Sequence, residues 1–178
     1  MAPALVAPIA RAIKDDRVTA LAAALGALRT SGALDDPALF PEPNFGRYAR
    51  KLVWADPGLR FVIVGMTWAP GQGTPLHDHG GLWGGEIVIH GVMAETTYEL
   101  TERIDDRWRF VRGEEHLVAA GSVGLLSPPN EYHALRNAGD TTAHTLHIYS
   151  ADLTRSRAFD ELGDGSYHAR SVELSYDA

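Results

Sequence analysis

Short apolar runs separated by turn-forming residues fill the chain from about residue 48 onward, and they constrain its fold more than any other feature. Such runs, rich in Val, Ile, Thr and aromatic residues and bounded by Gly, Pro, Asn and Asp, are typical of β-strands. Strands at roughly ten-residue spacing indicate a sandwich or a barrel. The runs are residues 59–68, 86–90, 94–100, 108–112, 116–119, 123–126 and 143–150, with a weaker alternation at 171–176.

The N-terminal part of the chain has a different character. Residues 4–30 are rich in Ala and Leu, and their apolar positions recur at helical spacing, which predicts helix. Asp15 or Asp16 could cap a second helix after a break. Residues 33–47 hold several prolines and read as an irregular connector. The apolar positions at helical spacing are Val18, Leu21, Leu25 and Leu28.

Length and composition suit one globular unit. The chain has 178 residues, so we predict a single domain over residues 1–178, mainly β, with a helical region and connector over 1–47 and a small barrel over 48–178. The net charge of −7, with both signs interspersed, disfavours a nucleic-acid surface. No stretch approaches the ~20 apolar residues of a membrane span, and no signal-peptide core is evident, so we expect a cytoplasmic protein without a membrane partner.

Three histidines form a candidate metal site. His77 and His79 stand at i and i+2, so on a strand they share one face with Cα atoms roughly 7 Å apart. His133 follows in a second glycine- and proline-rich segment. Three neutral imidazoles leave part of a metal's coordination sphere free, which indicates an open, reactive site. The chain has no cysteine, so any metal must be held by histidines and carboxylates.

A polar stripe occurs where apolar residues are expected. Thr145, His147 and Tyr149 alternate with Leu146 and Ile148, so the two sets face opposite sides of a strand. The polar set could face water. It could also form a hydrogen-bonded relay inside a barrel, in which each side chain orients the next and the tyrosine hydroxyl lies near the metal.

The histidine segments resemble the two motifs of cupins, small barrels of the jelly-roll type that hold a metal in the lumen. Gly71-x5-His77-x-His79 followed by Glu86-x4-Gly91 resembles the first motif, and Pro128-x-Asn130-x2-His133-x3-Asn137 resembles the second. Most cupins add a glutamate to three histidines. Here Glu86 lies seven residues after His79, and strand alternation predicts that it faces away from the metal in a structural role.

A closer resemblance is to the cysteine dioxygenase family of thiol dioxygenases, over roughly residues 45–162. In that family non-haem iron(II) is bound by three histidines, and a hydroxyl–histidine–tyrosine relay stands beside it. An arginine and a tyrosine hold the substrate carboxylate, and both atoms of O2 are added to a thiolate to give a sulfinate. The segments that carry the resemblance are His77-Asp-His79, His133, the Thr145-x-His147-x-Tyr149 strand, Ala158-Phe159-Asp160 and Tyr48-Ala49-Arg50.

The resemblance implies roles for particular residues here. The iron(II) ligands would be His77, His79 and His133, the relay Thr145, His147 and Tyr149, and the carboxylate contacts Arg50 and Tyr48. Trp83 is a further candidate for lining the substrate pocket, although a core position is an equal alternative. In animal members a cysteine is cross-linked to the relay tyrosine. Gly84 stands at that position, so this chain cannot form the cross-link.

Several functions remain open at this point. Arg50 favours L-cysteine as substrate over 3-mercaptopropionate, because members of the latter branch often carry glutamine there. Mercaptosuccinate, with two carboxylates, is a further alternative. A second class of enzyme, a cupin dioxygenase that cleaves carbon–carbon bonds in diketones or flavonols, also uses three histidines but needs neither the relay nor Arg50. A non-catalytic binding or regulatory cupin would not need an open iron site. The sequence does not indicate the oligomeric state.

Overall fold

The computed structural model describes residues 3–14, 18–58, 60–129 and 131–177. Two helices come first, α1 (Pro3–Lys14) and α2 (Val18–Thr30), followed by one turn of 3₁₀ helix at Pro37–Leu39. The predicted capping residues Asp15 and Asp16 lie outside the described residues, as does Asn130 of the second motif. Neither described helix is long and apolar enough to cross a membrane.

Ten strands follow within the described residues. Three of them, β1, β7 and β9, lie outside the runs that the sequence singled out, and the runs at 108–112 and 116–119 are halves of one long strand, β5. The strands are β1 (Ala49–Ala55), β2 (Val62–Trp68), β3 (Gly84–His90), β4 (Val92–Ile104), β5 (Arg107–Ala119), β6 (Val123–Leu126), β7 (Tyr132–Asn137), β8 (Ala143–Tyr149), β9 (Arg155–Glu161) and β10 (Tyr167–Glu173).

The strands form two five-stranded antiparallel sheets. The first has the order β1-β2-β8-β3-β6 and the second β7-β4-β5-β10-β9. The segment before β3 joins the second sheet through isolated bridges from His77 to His133 on β7 and to Ala158 on β9. This arrangement confirms the predicted fold class, a mainly β jelly roll with an N-terminal helical cap.

The first sheet is buried on both faces. On β8, Leu146 and Ile148 point to the helices and join a core that includes Leu21 and Leu25 of α2. Tyr149 points to the other side, where a second core lies between the two sheets. The helices therefore cover one face of the sheet, while the opposite face lines the lumen. The division of the chain into a single domain stays a prediction.

Candidate metal centre

The structure brings the three predicted histidines together at one end of the lumen. His77 and His133 exchange backbone hydrogen bonds, with N···O distances of 3.0 and 3.3 Å, so the loop before β3 is fastened to β7. The centroids of the three rings lie 4.8–5.0 Å apart. One donor nitrogen from each ring lies within 4.8 Å of the other two. This spacing allows all three rings to contact a single ion.

Each ring is oriented through its Nδ1 atom. That atom lies 3.1 Å from the Pro75 carbonyl in His77, 3.1 Å from the Glu131 carbonyl in His79 and 3.1 Å from Glu95 Oε1 in His133. Oxygen acceptors of this kind favour the tautomer with the proton on Nδ1 and leave the Nε2 lone pair free for a metal. His133 Nε2 is buried and has no hydrogen-bond partner among the described residues. The donor set and this unpaired atom fit a metal ion.

Burial keeps the rings of His77 and His79 neutral. Burial, together with the neighbouring His133, lowers the pKa of His77 to about 3. Burial also holds the pKa of His79 well below its usual range. Part of the His77 surface faces the cavity, so water offsets some of the burial penalty for that ring. His79 is only 2% exposed, so burial opposes protonation of its ring more strongly than that of His77. Neutral imidazole is the form that binds metals.

The polar stripe of β8 forms a continuous hydrogen-bonded chain inside the lumen. Trp68 Nε1 donates to Thr145 Oγ1 at 2.9 Å, and Thr145 Oγ1 lies 2.8 Å from His147 Nε2. His147 Nδ1 lies 3.2 Å from the Tyr149 hydroxyl. All four residues are buried, and Tyr149 stacks against His79 with centroids 5.8 Å apart. The relay therefore ends beside the histidine group.

Trp68 fixes the direction in which the hydrogen bonds of the relay are donated. An indole N–H can only donate, so Thr145 accepts from it and has its own proton free for His147 Nε2. The proton of the imidazole then resides on Nδ1 and is donated to the tyrosine oxygen. Tyr149 is left with its O–H to donate toward the cavity. Burial raises the pKa of Tyr149, so the hydroxyl keeps its proton at neutral pH.

The predicted orientation of Glu86 was wrong. Glu86 lies opposite His147 in the β3–β8 pairing and faces the lumen, because the residues between His79 and β3 form a turn through which strand alternation cannot be counted. Glu86 Oε2 is 3.2 Å from His147 Nδ1, close but not aligned as a hydrogen bond. Burial opposes its ionisation, yet His147 and His133 outweigh this and lower the pKa of Glu86 to about 2.

Glu86 has a further set of neighbours next to the histidine group. A carboxylate oxygen of Glu86 lies within 4.8 Å of ligand atoms of Glu95 and His133. Glu86 is not part of the group formed by the three histidines. Its negative charge next to His147 Nδ1 favours a proton on that nitrogen, which agrees with the direction that Trp68 sets.

A small cavity of about 60 Å³ connects the histidines with the candidate substrate residues. Arg50 and Tyr48 both line it, together with Tyr149. Arg50 is only 3% exposed and its Nη2 donates to the Leu153 carbonyl at 3.1 Å. Arg50 Nη1 is buried and lacks a hydrogen-bond partner in the described part of the chain. A buried guanidinium nitrogen of this kind calls for an anionic ligand.

Trp83 is not brought to this cavity. It is half-buried and packs against the core between the helices and the first sheet. Its carbonyl accepts a hydrogen bond from Ser150 N–H at 3.0 Å, which ties the end of β8 to the start of β3. The alternative of a core position is therefore the one that the structure shows.

Sequence reasoning missed three residues that support the site, Glu95, Glu131 and Trp68, and assigned the wrong orientation to a fourth, Glu86. Glu95 and Glu131 orient two histidines, and Glu131 Oε2 also accepts from the His79 backbone N–H at 3.0 Å. Trp68 and Glu86 orient the relay. Most of these contacts join residues far apart in sequence, so only Glu86 and Glu95, acidic residues in β-rich runs, carried a local signal.

A family model described as cysteine dioxygenase type I matches residues 10–162. The chain belongs to the cysteine dioxygenase type I family. It is 24% identical over 125 residues to cysteine dioxygenase type 1 of Rattus norvegicus, covering 70% of this chain and 61% of the relative. It is 25% identical over 116 residues to that of Homo sapiens, covering 65% and 56%. The chain thus spans about three fifths of the length of these curated relatives.

Two solved structures share part of this architecture. A Thermus thermophilus protein is 21% identical, with a TM-score of 0.48, and the match covers 62% of this chain and 90% of that one. An oxalate oxidase in complex with the substrate analogue glycolate is 18% identical, with a TM-score of 0.46, covering 61% and 53%. The assignment of the fold rests on the two sheets and their strand order.

Proposed function

We propose that this protein is a thiol dioxygenase that uses non-haem Fe(II) and O2 to oxidise a small thiol carboxylate, with L-cysteine as the first candidate, to its sulfinic acid. The reaction balances without a further reductant: sulfur loses four electrons, O2 gains four, and both oxygen atoms end on sulfur. The observation that carries the proposal is the unpaired Nη1 of Arg50 in one cavity with the three histidines and Tyr149. Membership of the family supports it.

His77, His79 and His133 would hold the iron through Nε2. Bound iron would supply a Lewis-acidic, redox-active centre that brings a thiolate and O2 together. The neutral rings add no negative charge, so two anionic ligands meet little repulsion there. Imidazole also suits zinc, copper and nickel, so metal analysis of the purified protein belongs with every assay.

Arg50 and Tyr48 would bind the carboxylate end of the substrate. The free Nη1 provides a charge-assisted hydrogen bond to one carboxylate oxygen, and Tyr48 lines the same cavity. A buried water needs about 10–15 Å³, so a cavity of about 60 Å³ holds roughly four to six water-sized groups. That size suits cysteine or 3-mercaptopropionate and disfavours flavonols, which are much larger.

Tyr149 would hold a proton at its hydroxyl next to the reacting atoms. The relay from Trp68 through Thr145 and His147 leaves the Tyr149 O–H free to donate toward the cavity. Such a donor stabilises negative charge that develops on oxygen as the reaction proceeds. The relay thus gives Tyr149 a role that a diketone-cleaving enzyme would not need.

The proposal is tested by oxygen uptake of iron-loaded protein with L-cysteine, 3-mercaptopropionate, mercaptosuccinate and 1-propanethiol. We expect uptake with a carboxylate thiol and a sulfinate product. Arg50→Gln should lower kcat/KM for the carboxylate thiols about 10- to 100-fold. Tyr149→Phe should lower kcat by about 100-fold, because a general acid or hydrogen-bond donor is lost.

Tyr167→Phe serves as the matched control, since Tyr167 packs against Phe110 in a separate aromatic cluster. It should keep the wild-type activity. If iron-loaded protein consumes no thiol, or consumes O2 only with diketones, the proposed function is wrong.

A further inference from the structure

The segment that follows β10, residues 174–177, forms part of the wall of the cavity beside Arg50. Leu174 N–H donates to the Thr154 carbonyl at 2.8 Å, and its side chain lines the cavity. Asp177 N–H donates to the Arg50 carbonyl at 2.7 Å, and Arg50 N–H donates to Asp177 Oδ2 at 2.9 Å. This C-terminal segment is therefore bound directly to the backbone of Arg50.

A second contact holds the C-terminal segment at the same point. Both oxygens of Asp177 accept hydrogen bonds from the Arg47 guanidinium, at 2.6 and 2.9 Å. Arg47 is half-exposed, so the attraction is moderated by water, but the two-point geometry fixes the orientation of the carboxylate. Hydrogen bonds thus link residues 47, 50 and 177 to one another.

Tyr176 contacts the side chain of Arg50. Its ring centroid lies 5.0 Å from Arg50 Cζ, within the range of a cation–π interaction. The Tyr176 hydroxyl donates to Asp152 Oδ1 at 2.6 Å, which fixes the ring in place. On another side, the Leu153 carbonyl accepts from Arg50 Nη2. The guanidinium is held by these two contacts, and Nη1 remains for a ligand.

Two residues of this arrangement, Tyr176 and Asp177, lie outside the part of the chain that the family model matches. The match ends at residue 162, whereas β10 and the C-terminal segment begin after it. The contacts around Tyr176 are therefore a property of this chain that family membership does not supply.

Resting on the proposed function, we infer that Tyr176 is a positioning residue that orients Arg50 so that Nη1 meets the substrate carboxylate, which makes the C-terminal segment an element of substrate specificity. A long arginine side chain has many rotamers, and ordering them on binding costs affinity. The Tyr176 ring and the Leu153 carbonyl restrict those rotamers before the substrate arrives. The preference for thiols that carry a carboxylate then depends on a residue that contacts Arg50 and does not itself line the cavity.

The test compares 3-mercaptopropionate with 1-propanethiol, which has the same carbon chain and no carboxylate. Affinities are measured by anaerobic calorimetry on the iron-loaded protein, where no turnover occurs. Tyr176→Ala should weaken 3-mercaptopropionate binding about tenfold and leave 1-propanethiol within about twofold. Tyr176→Phe keeps the ring and loses the hydroxyl that donates to Asp152, so its effect should be smaller. Tyr167→Ala, on the preceding strand, is the matched control and should change neither affinity.

A double-mutant cycle separates positioning from general damage. Arg50→Gln removes the guanidinium, so adding Tyr176→Ala to it should cause no further loss of 3-mercaptopropionate affinity. Full additivity, or equal weakening of both thiols by Tyr176→Ala, would overturn the inference. Thermal unfolding of each variant checks that it is folded.

The two proposals fail in different ways. If the wild type oxidises thiols while Tyr176→Ala leaves the ratio of the two affinities unchanged, the inference fails and the proposed function stands. If the wild type oxidises no thiol but prefers 3-mercaptopropionate in a manner that needs Arg50 and Tyr176, the inference stands and the proposed function fails. A wild type that does not prefer 3-mercaptopropionate overturns the inference.

Discussion

Gly84 lies on β3, directly beside the last residue of the relay on β8. It pairs with Tyr149 across β3 and β8. A Cβ atom built on Gly84 would lie 2.4 Å from the Ile148 carbonyl oxygen and 3.1 Å from Tyr149 Cδ1. The first distance is shorter than any contact a real Cβ makes, and its partner is backbone. The strand therefore requires glycine here, which adds a steric reason to the lack of a cysteine cross-link.

Replacing this glycine should weaken the fold. We expect Gly84→Ala to lower the free energy of unfolding by about 1–3 kcal/mol, because the backbone of β8 must move to accept a methyl group. Gly26→Ala is the control: apart from the backbone of α2 itself and the two adjacent residues, no atom lies within 4 Å of its Cβ position, so that change should be neutral or stabilising by up to about 1 kcal/mol. Urea unfolding measures both. Equal stability of Gly84→Ala and wild type would contradict the steric argument.

At the scale of single residues, the sequence predicted those that follow a local pattern. His77 and His79 stand two apart, and the relay residues alternate along one strand, so their common faces could be read from spacing alone. The predicted orientation of Glu86 was wrong because a turn, not a strand, separates this residue from His79. Trp68 reaches Thr145 from a neighbouring strand, a contact that only the strand pairing reveals.

Among the elements, α2 and β8 form the layer that supports the site from outside. Leu25 of α2 is fully buried, and it packs in one core with Leu146 and Ile148, which alternate with the relay residues on β8. Removing that support should loosen β8 and with it the relay. The long β4–β5 hairpin, in contrast, carries exposed apolar side chains such as Leu117, which is 69% exposed.

This contrast gives a prediction at the same scale. Leu25→Ala should lower the free energy of unfolding by about 2–5 kcal/mol, because it removes buried methyl groups and leaves a cavity. Leu117→Ala makes the same chemical change at an exposed position of β5 and should stay within about 0.5 kcal/mol of wild type. Chemical denaturation checks both variants. If Leu25→Ala lowered the free energy of unfolding no more than Leu117→Ala, the packing of α2 against the sheet would not contribute to stability as argued.

The elements were less predictable than the fold class. Runs of apolar residues located the central strands β2, β3 and β8 of the first sheet, and also β4, β5 and the short edge strand β6. The strand β1 carries Arg50 and Lys51 and follows a proline-rich connector, so its pattern is weak. Turn-forming residues close to β7 and β9 likewise masked them. Pairing across the sheets, which is non-local, defines these strands.

For the whole molecule, acid should unfold the metal-free protein. The folded state keeps His77 and His79 neutral, with pKa values below the usual 6.5, so the unfolded state binds more protons below that pH. Stability is thus complete above about pH 6.5 and falls as the pH drops, by up to about 1.4 kcal/mol per pH unit for a fully buried ring. Glu86, with a pKa lowered to about 2, adds stability above about pH 4.5 that is lost on further acidification.

Urea unfolding of the metal-free protein between pH 7.5 and 5 measures this dependence. His79→Gln should flatten the curve, whereas His116→Gln, at an exposed ring on β5, should leave it unchanged. A wild-type curve that is flat across this range would contradict the assignment of neutral buried rings.

The three histidines are chemically unequal even though they share one group. His77 and His79 are oriented by neutral backbone carbonyls, whereas His133 is oriented by the carboxylate of Glu95. A carboxylate that accepts the hydrogen bond from Nδ1–H increases the basicity of the opposite nitrogen, Nε2. Any ion bound by these rings would meet one stronger donor and two weaker ones, so the fold itself makes the directions around that ion inequivalent before a substrate arrives.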